Sequence, residues 1–244
     1  MINIFKMTEE DILGLDPDEV NDYLGPAEIF QFFTLVNGFW SYNYEAAKAG
    51  KVGLHAELKS GWHSDGFLFS KAALRYFNIC QIMAQQLVLQ WEAKRLPTPD
   101  WVVGIPNGAT VLGKHVARWM GVKLAEMVKE DGVIKMVSKM PDGESLLFVE
   151  DFCTKGTGFK EAVADTLRQN PSVRLLPYEL VIVNRGGLKE IEVNGVDSFK
   201  IIAAAEHRIK DWNPKVTCPL CNLGSGAIKP KAMDENWQVI MKSQ

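Results

Sequence analysis

The pattern of apolar positions predicts an α/β protein over most of the chain. Short apolar runs of strand length recur at residues 101–105, 123–128, 133–137, 146–149, 180–183 and 199–205. Helical stripes lie between them, one at residues 111–120 and another formed by Phe159, Ala162, Val163, Thr166 and Leu167. Residues with this spacing share one face of a helix. Strands that alternate with helices predict a mostly parallel, twisted sheet with helices on both faces.

Three stretches differ in pattern and predict the domain organisation. Residues 1–53 form an N-terminal helical extension, with a helix that starts near Pro26. Residues 54–210 form the α/β domain, which opens with a hairpin hood at 54–70 around a turn-rich connection. Residues 211–244 form a C-terminal tail that carries a Cys-x-x-Cys pair.

Composition narrows the class of protein. The 244 residues are 47% hydrophobic and carry a formal net charge of −3, which gives no global attraction for nucleic acid. No stretch reaches the roughly 18 apolar residues of a membrane span, and the N-terminus lacks the long apolar core of a signal peptide. Four cysteines, of which Cys80 and Cys153 are isolated, do not make a secreted disulfide framework. We therefore expect a cytoplasmic protein with no nucleic-acid or membrane partner.

Two adjacent carboxylates end the apolar run at residues 146–149. We expect Glu150 and Asp151 to emerge at the carboxyl end of this strand, where open α/β sheets bind ligands. Ionised Asp and Glu only accept hydrogen bonds, which suits the vicinal hydroxyl groups of a sugar. The pair therefore predicts a site for a diol.

A small turn follows the carboxylates and opens into the helix at residues 159–167. Its residues are Thr154, Lys155, Gly156, Thr157 and Gly158. Because glycine lacks a Cβ, backbone N–H groups of the turn can converge on an anion, and the helix N-terminus adds partial positive charge. The expected ligand therefore carries both a diol and a phosphate. The alternative is an ordinary strand, turn and helix with a solvated acidic pair.

The strand, acidic pair and Gly/Thr loop resemble the phosphoribosyl pyrophosphate signature of the type I phosphoribosyltransferases. The resemblance implies that Glu150 and Asp151 bind the ribose hydroxyl groups and that residues 154–158 bind the 5-phosphate. It also implies that Asp151 takes part in catalysis.

Two more segments of the chain resemble parts of these enzymes that contact the pyrophosphate group. Type I enzymes carry a short pyrophosphate loop after the first strand of the sheet, which maps to Pro106, Asn107 and Gly108, although a structural turn is the alternative. Orotate phosphoribosyltransferases also have a mobile loop that closes over the neighbouring subunit's site. The corresponding segment at 128–135 is shortened here, and Lys129 is the nearest candidate for the catalytic lysine of that loop.

The base-binding residues follow from a resemblance to orotate phosphoribosyltransferases. Leu-Lys-Ser-Gly at 58–61 is similar to their N-terminal motif and maps Lys59 and Phe67 to the orotate site. Arg185 matches the arginine that reaches the carboxylate of orotate, which a guanidinium can grip through two parallel hydrogen bonds. Trp62 stands where the family usually has a basic residue. A hairpin with a solvated lysine and an exposed arginine at a strand end are the alternatives.

The resemblance implies transfer of 5-phosphoribosyl from phosphoribosyl pyrophosphate to orotate, giving orotidine 5′-phosphate and pyrophosphate. Mg²⁺ would be bound chiefly through the phosphates of the donor, and the protein would be a homodimer. Two alternatives remain open: a phosphoribosyltransferase for another nucleobase, and a regulator that binds phosphoribosyl pyrophosphate without catalysing.

The Cys-Pro-Leu-Cys pair in the tail has zinc-knuckle spacing. Cys218 and Cys221 supply only two ligands, whereas a structural zinc takes four. His207 is the nearest further candidate in the sequence, and a two-fold dimer that joins two such pairs is another route to four ligands. Reduced thiols in a tail turn are the alternative to a possible Zn²⁺ site.

Overall fold

A computed structural model describes residues 2–244, apart from the side chain of Asp234. The chain forms two compact units. The first, here called the α/β unit, contains the residues up to Leu35 and Ser70–Arg208. The second unit contains Val36–Phe69 and Ile209–Gln244. This grouping differs from the three predicted segments, because strands of residues 36–69 pair with each other and with strands of the tail.

The helices of the described residues are mostly short. They are α1 (Glu9–Gly14), α2 (Pro26–Leu35), α3 (Tyr44–Lys48), α4 (Ser70–Leu74), α5 (Phe77–Ala93), α6 (Thr110–Met120), α7 (Thr157–Gln169), α8 (Pro219–Asn222) and α9 (Asp234–Met241), with 3₁₀ turns at Ile4–Lys6 and Pro17–Glu19. None of the described helices is both long and apolar enough to cross a membrane.

Within residues 2–244 the strands form four sheets. They are β1 (Phe39–Ser41), β2 (Leu54–Glu57), β3 (His63–Ser64), β4 (Gly66–Leu68), β5 (Trp101–Gly104), β6 (Lys123–Ala125), β7 (Met127–Glu130), β8 (Val133–Met136), β9 (Ser145–Cys153), β10 (Arg174–Asn184), β11 (Glu190–Glu192), β12 (Ser198–Glu206), β13 (Asp211–Trp212) and β14 (Gly226–Ile228).

The α/β unit is built on a six-stranded sheet in the order β11-β12-β10-β9-β5-β6. All neighbours are parallel except β11, which is antiparallel to β12 at the edge. The central strand β9 is buried from Ser145 to Val149, as expected for a parallel strand covered on both faces. Helix α7 covers one face, where Phe159 packs edge-on against Phe148 with ring centroids 5.4 Å apart. This confirms the predicted α/β architecture.

The segment at 128–135, which is predicted to correspond to a shortened mobile loop, lies within a separate hairpin of β7 and β8. In this hairpin Met127 lies opposite Met136 at one end, and Glu130 lies opposite Val133 at the other. The strands are joined by the two-residue turn Asp131-Gly132, whose φ angles are 50° and 83°. Carboxylates of α7 accept hydrogen bonds from the hairpin backbone, Glu161 from Ile134 N and Asp165 from Met136 N. This segment is therefore a tight hairpin whose backbone is hydrogen-bonded to α7, and its correspondence to a shortened mobile loop stays a prediction.

The second unit contains the four-stranded sheet β13-β3-β2-β14 and the antiparallel pair β1-β4. Strand β14, from the tail, runs parallel to β2 with Ala227 opposite His55. Aromatic side chains dominate the core between these strands and α9, including Trp40, Phe67 and Trp237. Residues distant in sequence thus share one hydrophobic core.

Candidate active site

Three loops leave the same edge of the sheet in the α/β unit. Strand β9 lies between β5 and β10, and all three are parallel, so the loops that follow them start at neighbouring carboxyl ends. These loops are residues 105–109, 154–156 and 185–189. The carboxyl edge of a parallel sheet is where α/β proteins bind ligands. The topology therefore brings the predicted donor-binding segments and Arg185 to one edge.

Asp151 faces the loop after β5. A Cβ added to Gly108 would lie 2.1 Å from Asp151 Oδ2, so any larger residue would force the carboxylate or the loop to move. Within the loop, Pro106 is buried, Asn107 and Gly108 are exposed, and the Pro106–Asn107 peptide bond is cis. Asp151 is partly exposed, and its Oδ1 accepts a hydrogen bond from Phe152 N at 2.9 Å. A solvent-accessible carboxylate thus lies directly against the predicted pyrophosphate loop.

The turn before α7 is shaped by a glycine in the left-handed region. Gly156 has φ 64° and ψ 21°, and a Cβ there would lie 2.6 Å from Ile191 Cδ1, so both conformation and packing require glycine. The neighbouring Thr154, Lys155 and Thr157 are exposed. The first N–H groups of a helix have no partner within the helix and favour anions. The turn therefore has the features of an anion site.

Arg185 begins the loop that follows β10 and is partly buried. Its backbone N–H donates to Cys153 O at 2.9 Å, which joins this loop to the one before α7. The buried Asn184 shapes the loop by donating to Leu188 O at 2.7 Å and accepting from Gly187 N at 3.1 Å. The predicted base-binding arginine therefore stands on a loop fixed beside the predicted phosphate loop.

Glu150 lies on the opposite face of β9 from Asp151, because adjacent side chains of a strand alternate. Its Oε1 is near α7, where a Cβ on Gly158 would approach it to 3.2 Å. The carboxyl groups of Glu150 and Glu179 and the thiol of Cys153 have atoms within 4.8 Å of one another. Glu179, on β10, is fully buried.

The environment of Glu150 favours its protonated form. Burial raises its pKa well above the ordinary value, and the neighbouring Glu179 raises the pKa further, while Lys129 acts in the opposite direction. Burial also raises the pKa of Glu179. Sequence reasoning missed Glu179, since it lies inside an apolar strand without a recognisable motif. Glu150 and Asp151 are adjacent in sequence and yet occupy different electrostatic environments.

The other predicted site residues are distributed between the two units. Lys129 is exposed on β7 of the α/β unit. Lys59 is exposed in the turn between β2 and β3 of the second unit. Phe67, also in the second unit, is 9% exposed and packs against Trp237, with ring centroids 5.9 Å apart. Its ring belongs to a core in this structure, and its role in base binding stays a prediction.

Cys218 and Cys221 meet two histidines of the same chain. Their side chains lie beside those of His55 and His63, with all four potential ligand atoms within 4.8 Å of one another. His207, the further ligand suggested by the sequence, belongs to the α/β unit and packs against Phe30 instead. The two histidines of the hairpin are thus a second pair of potential ligands from the same chain.

No family model matches the chain. Curated proteins do match it. An orotate phosphoribosyltransferase from Caldanaerobacter subterraneus subsp. tengcongensis is 32% identical over 182 residues, covering 72% of this chain and 87% of that protein. An orotate phosphoribosyltransferase from Thermoanaerobacter sp. is 28% identical over 180 residues, with the same two coverages.

Solved structures share the fold. UMP synthase from Leishmania donovani aligns with a TM-score of 0.55 and 16% identity over 75% of this chain and 37% of that chain. Orotate phosphoribosyltransferase from Aeropyrum pernix aligns with a TM-score of 0.51 and 15% identity over 73% of this chain and 93% of that chain. The shared fold and the sequence match at 32% identity confirm the resemblance to orotate phosphoribosyltransferases. The chain belongs to the orotate phosphoribosyltransferase family of enzymes, a branch of the type I phosphoribosyltransferases.

Proposed function

We propose that this protein transfers 5-phosphoribosyl from phosphoribosyl pyrophosphate to orotate, giving orotidine 5′-phosphate and pyrophosphate. The observation that carries the proposal is the position of Asp151 against Gly108 at the sheet edge that also holds the turn before α7. In the reaction the bond from the anomeric carbon to pyrophosphate breaks and a bond to a ring nitrogen of orotate forms. The proton of that nitrogen is released.

The donor would be held by three neighbouring loops. Asp151 accepts hydrogen bonds from the ribose hydroxyl groups, since an ionised carboxylate is an acceptor only. The turn at residues 154–158 and the N-terminus of α7 bind the 5-phosphate. Residues 106–108 bind pyrophosphate, which places the leaving group beside Asp151.

Glu150 has a different role in this proposal. Burial and the neighbouring Glu179 raise the pKa of Glu150, so the folded protein favours the protonated form of Glu150. A protonated carboxyl group can donate one hydrogen bond, and the carboxyl group of Glu179 is the acceptor beside Glu150. Asp151 is then the acceptor on which recognition of the diol chiefly depends.

Negative charge grows on pyrophosphate as the anomeric carbon develops oxocarbenium character. The partly exposed carboxylate of Asp151 is an oxygen ligand of the type that Mg²⁺ takes, together with donor phosphates. Mg²⁺ held there would supply electrostatic stabilisation of the departing pyrophosphate. Lys129, exposed on β7, is the candidate cation of the α/β unit for the same charge.

Recognition of orotate would depend first on Arg185. Its guanidinium can pair with the carboxylate that distinguishes orotate from uracil and from the purine bases. The backbone bond from Arg185 N to Cys153 O supports this role, because it fixes the loop next to the donor's phosphate loop. Lys59 and Phe67 remain candidates for the orotate site. A homodimer and a cytoplasmic location also remain predictions.

A base panel tests the proposal. The purified protein would be incubated with phosphoribosyl pyrophosphate, Mg²⁺ and, in turn, orotate, uracil, adenine, guanine and hypoxanthine, and pyrophosphate release would be measured. We expect pyrophosphate release only in the reaction that contains orotate. Turnover of another base would refute the orotate assignment. Tight donor binding without turnover of any base would instead support the non-catalytic regulator.

A further inference from the structure

A cluster of two histidines and two cysteines in the second unit forms a set of ligands for one metal ion. His55 Nε2 lies 3.7 Å from Cys218 Sγ and 3.6 Å from Cys221 Sγ. His63 Nδ1 lies 3.3 Å from Cys221 Sγ and 2.9 Å from His55 Nε2. We propose that these four atoms bind a single Zn²⁺ within one chain.

The distances between the ligand atoms match a tetrahedral zinc site. With Zn–S of about 2.3 Å and Zn–N of about 2.05 Å, a regular tetrahedron separates N from S by about 3.6 Å and N from N by about 3.3 Å. The three N–S separations of 3.3, 3.6 and 3.7 Å scatter around the first value. The N–N separation of 2.9 Å needs an outward shift of about 0.4 Å to reach the second. A zinc ion therefore fits with small side-chain movements.

The fold presents the ligands from two chain segments. His55 on β2 and His63 on β3 project from the same face of the hairpin, because His63 lies opposite Glu57, two residues from His55. Cys218 is the N-cap residue of α8, and Cys221 lies within the helix. The Gly224 N–H closes this turn on Cys221 O at 2.9 Å.

A second layer of hydrogen bonds orients His55. The hydroxyl group of Ser225 donates to Gly53 O at 3.1 Å. Its oxygen therefore accepts from Nδ1–H of His55, which lies 2.8 Å away. The remaining nitrogen of His55, Nε2, then carries a lone pair that points at the two sulfur atoms. Metal-binding histidines are fixed by such partners on the other ring nitrogen.

The chemistry of the ligand set favours zinc. Two thiolates balance the charge of Zn²⁺, two neutral imidazoles complete four ligands, and Cys₂His₂ is an established structural zinc set. His55 is fully buried and Cys218 is 3% exposed, while Cys221 is exposed. A site with four protein ligands leaves no open position for a substrate, so its role is structural.

The metal would hold the hairpin that carries Lys59. Lys59 lies in the turn between His55 and His63, where Leu58 N donates to Trp62 O at 2.7 Å. Zinc would join both strands of this hairpin to the tail near α8. Such a link stabilises the folded unit, because the unfolded chain has no preformed site.

Metal analysis of the full-length protein, with any affinity tag of histidines removed, tests the proposal. We expect one zinc per chain by elemental analysis, and Co²⁺ in its place should give the absorption bands of a tetrahedral site with sulfur ligands. Metal-free protein with reduced thiols, or with a Cys218–Cys221 disulfide, would overturn the proposal. One zinc per two chains would overturn the assignment of all four ligands to one chain.

Single substitutions identify the ligands. His63→Ala and Cys221→Ser should abolish stoichiometric zinc, and His207→Ala, a histidine of the other unit, should leave it unchanged. Ser225→Ala removes only the partner of His55 and should weaken zinc affinity about 10- to 100-fold. Because it keeps all four ligands, it remains informative where a ligand variant fails to fold. Unchanged zinc affinity in both Ser225→Ala and Cys221→Ser would refute the site.

Limited proteolysis tests the structural role. Trypsin cleaves after lysine, and Lys59 lies in the exposed turn between the two histidines. Removing the metal with a chelator should accelerate cleavage at Lys59, and added Zn²⁺ should reverse the effect. An equal cleavage rate with and without zinc would contradict the role of the metal in holding this hairpin.

Discussion

The contact between Gly108 and Asp151 gives the sharpest test of the donor site. In Gly108→Ala the new methyl group would meet Asp151 Oδ2 at 2.1 Å, whereas ordinary contact begins at 3.4 Å. The two groups must therefore separate by about 1.3 Å, the difference between these distances. Gly108 does not have a positive φ, so the backbone conformation itself accepts alanine. The change acts through the displaced carboxylate or loop.

This displacement sets the expected magnitude. A misplacement of about 1 Å in an active site can reduce the rate about 100-fold. We therefore expect kcat/KM with phosphoribosyl pyrophosphate and orotate to fall by about 100-fold, equivalent to about 2.7 kcal/mol. Steady-state kinetics measures this loss, and a thermal melt shows whether the variant is folded.

Two controls isolate the effect. Gly14→Ala adds a methyl group to α1 where no atom lies within 4 Å, and should leave kcat/KM unchanged. Asp151→Ala removes the carboxylate that the new methyl group displaces, so Gly108→Ala should cost much less in that background. A folded Gly108→Ala variant with kcat/KM within threefold of the parent would refute the proposed role of this contact.

Three further predictions concern the acidic pair and the arginine. Asp151→Asn should weaken donor binding in calorimetric titration by more than tenfold, while Glu150→Gln should change it less than threefold; equal losses would contradict the proposed division of roles. Arg185→Lys should reduce orotate affinity at least tenfold, about 1.4 kcal/mol, with donor affinity nearly constant, and equal losses for both ligands would remove the base assignment. The pKa of Glu150 is raised in the folded protein above its ordinary value of 4.5. The stability that protonated Glu150 contributes is therefore complete below pH 4.5, and it is lost as the pH rises through the raised pKa. The gain in melting temperature from Glu150→Gln should therefore grow from pH 5 to pH 8, and a pH-independent difference would count against the buried, protonated carboxyl group.

Features encoded within short segments were predictable from the sequence. The apolar run at 146–149 predicted the central strand, and the glycine-rich turn after it predicted the start of α7. The end of the strand was harder to predict from the sequence, because β9 continues through Glu150 and Asp151 to Cys153. Pairing with β10 as far as Cys153 extends the strand beyond its apolar residues. The hydrophobic pattern predicts the buried part of a strand, but it does not predict how far the strand continues through polar residues.

Features assembled from distant segments were not predictable in the same way. Cys218 and His55 are 163 positions apart in the chain. The Cys-x-x-Cys spacing left a possible Zn²⁺ site open against reduced thiols, and the two histidines eight residues apart in the hairpin can be recognised as candidate ligands only once the strand register is known. The register places His63 opposite Glu57, and β14 then runs beside His55. The sequence signal that could have suggested the two histidines is the alternation of side chains along the strands, which places His55 and Glu57 on the same face as His63.

The acidic pair shows why a motif alone does not define the chemistry of its residues. The sequence places Glu150 and Asp151 next to each other, and the family resemblance gives both the same role. In an extended strand, adjacent side chains project to opposite faces. Asp151 therefore meets the loop at Gly108, whereas Glu150 enters the interior beside Glu179. The buried partner comes from β10, and only the parallel pairing of β9 with β10 brings it there. The difference in surroundings between these two neighbouring acids is thus a property of the sheet, and separate substitutions of the two residues are needed to assign the ribose contact.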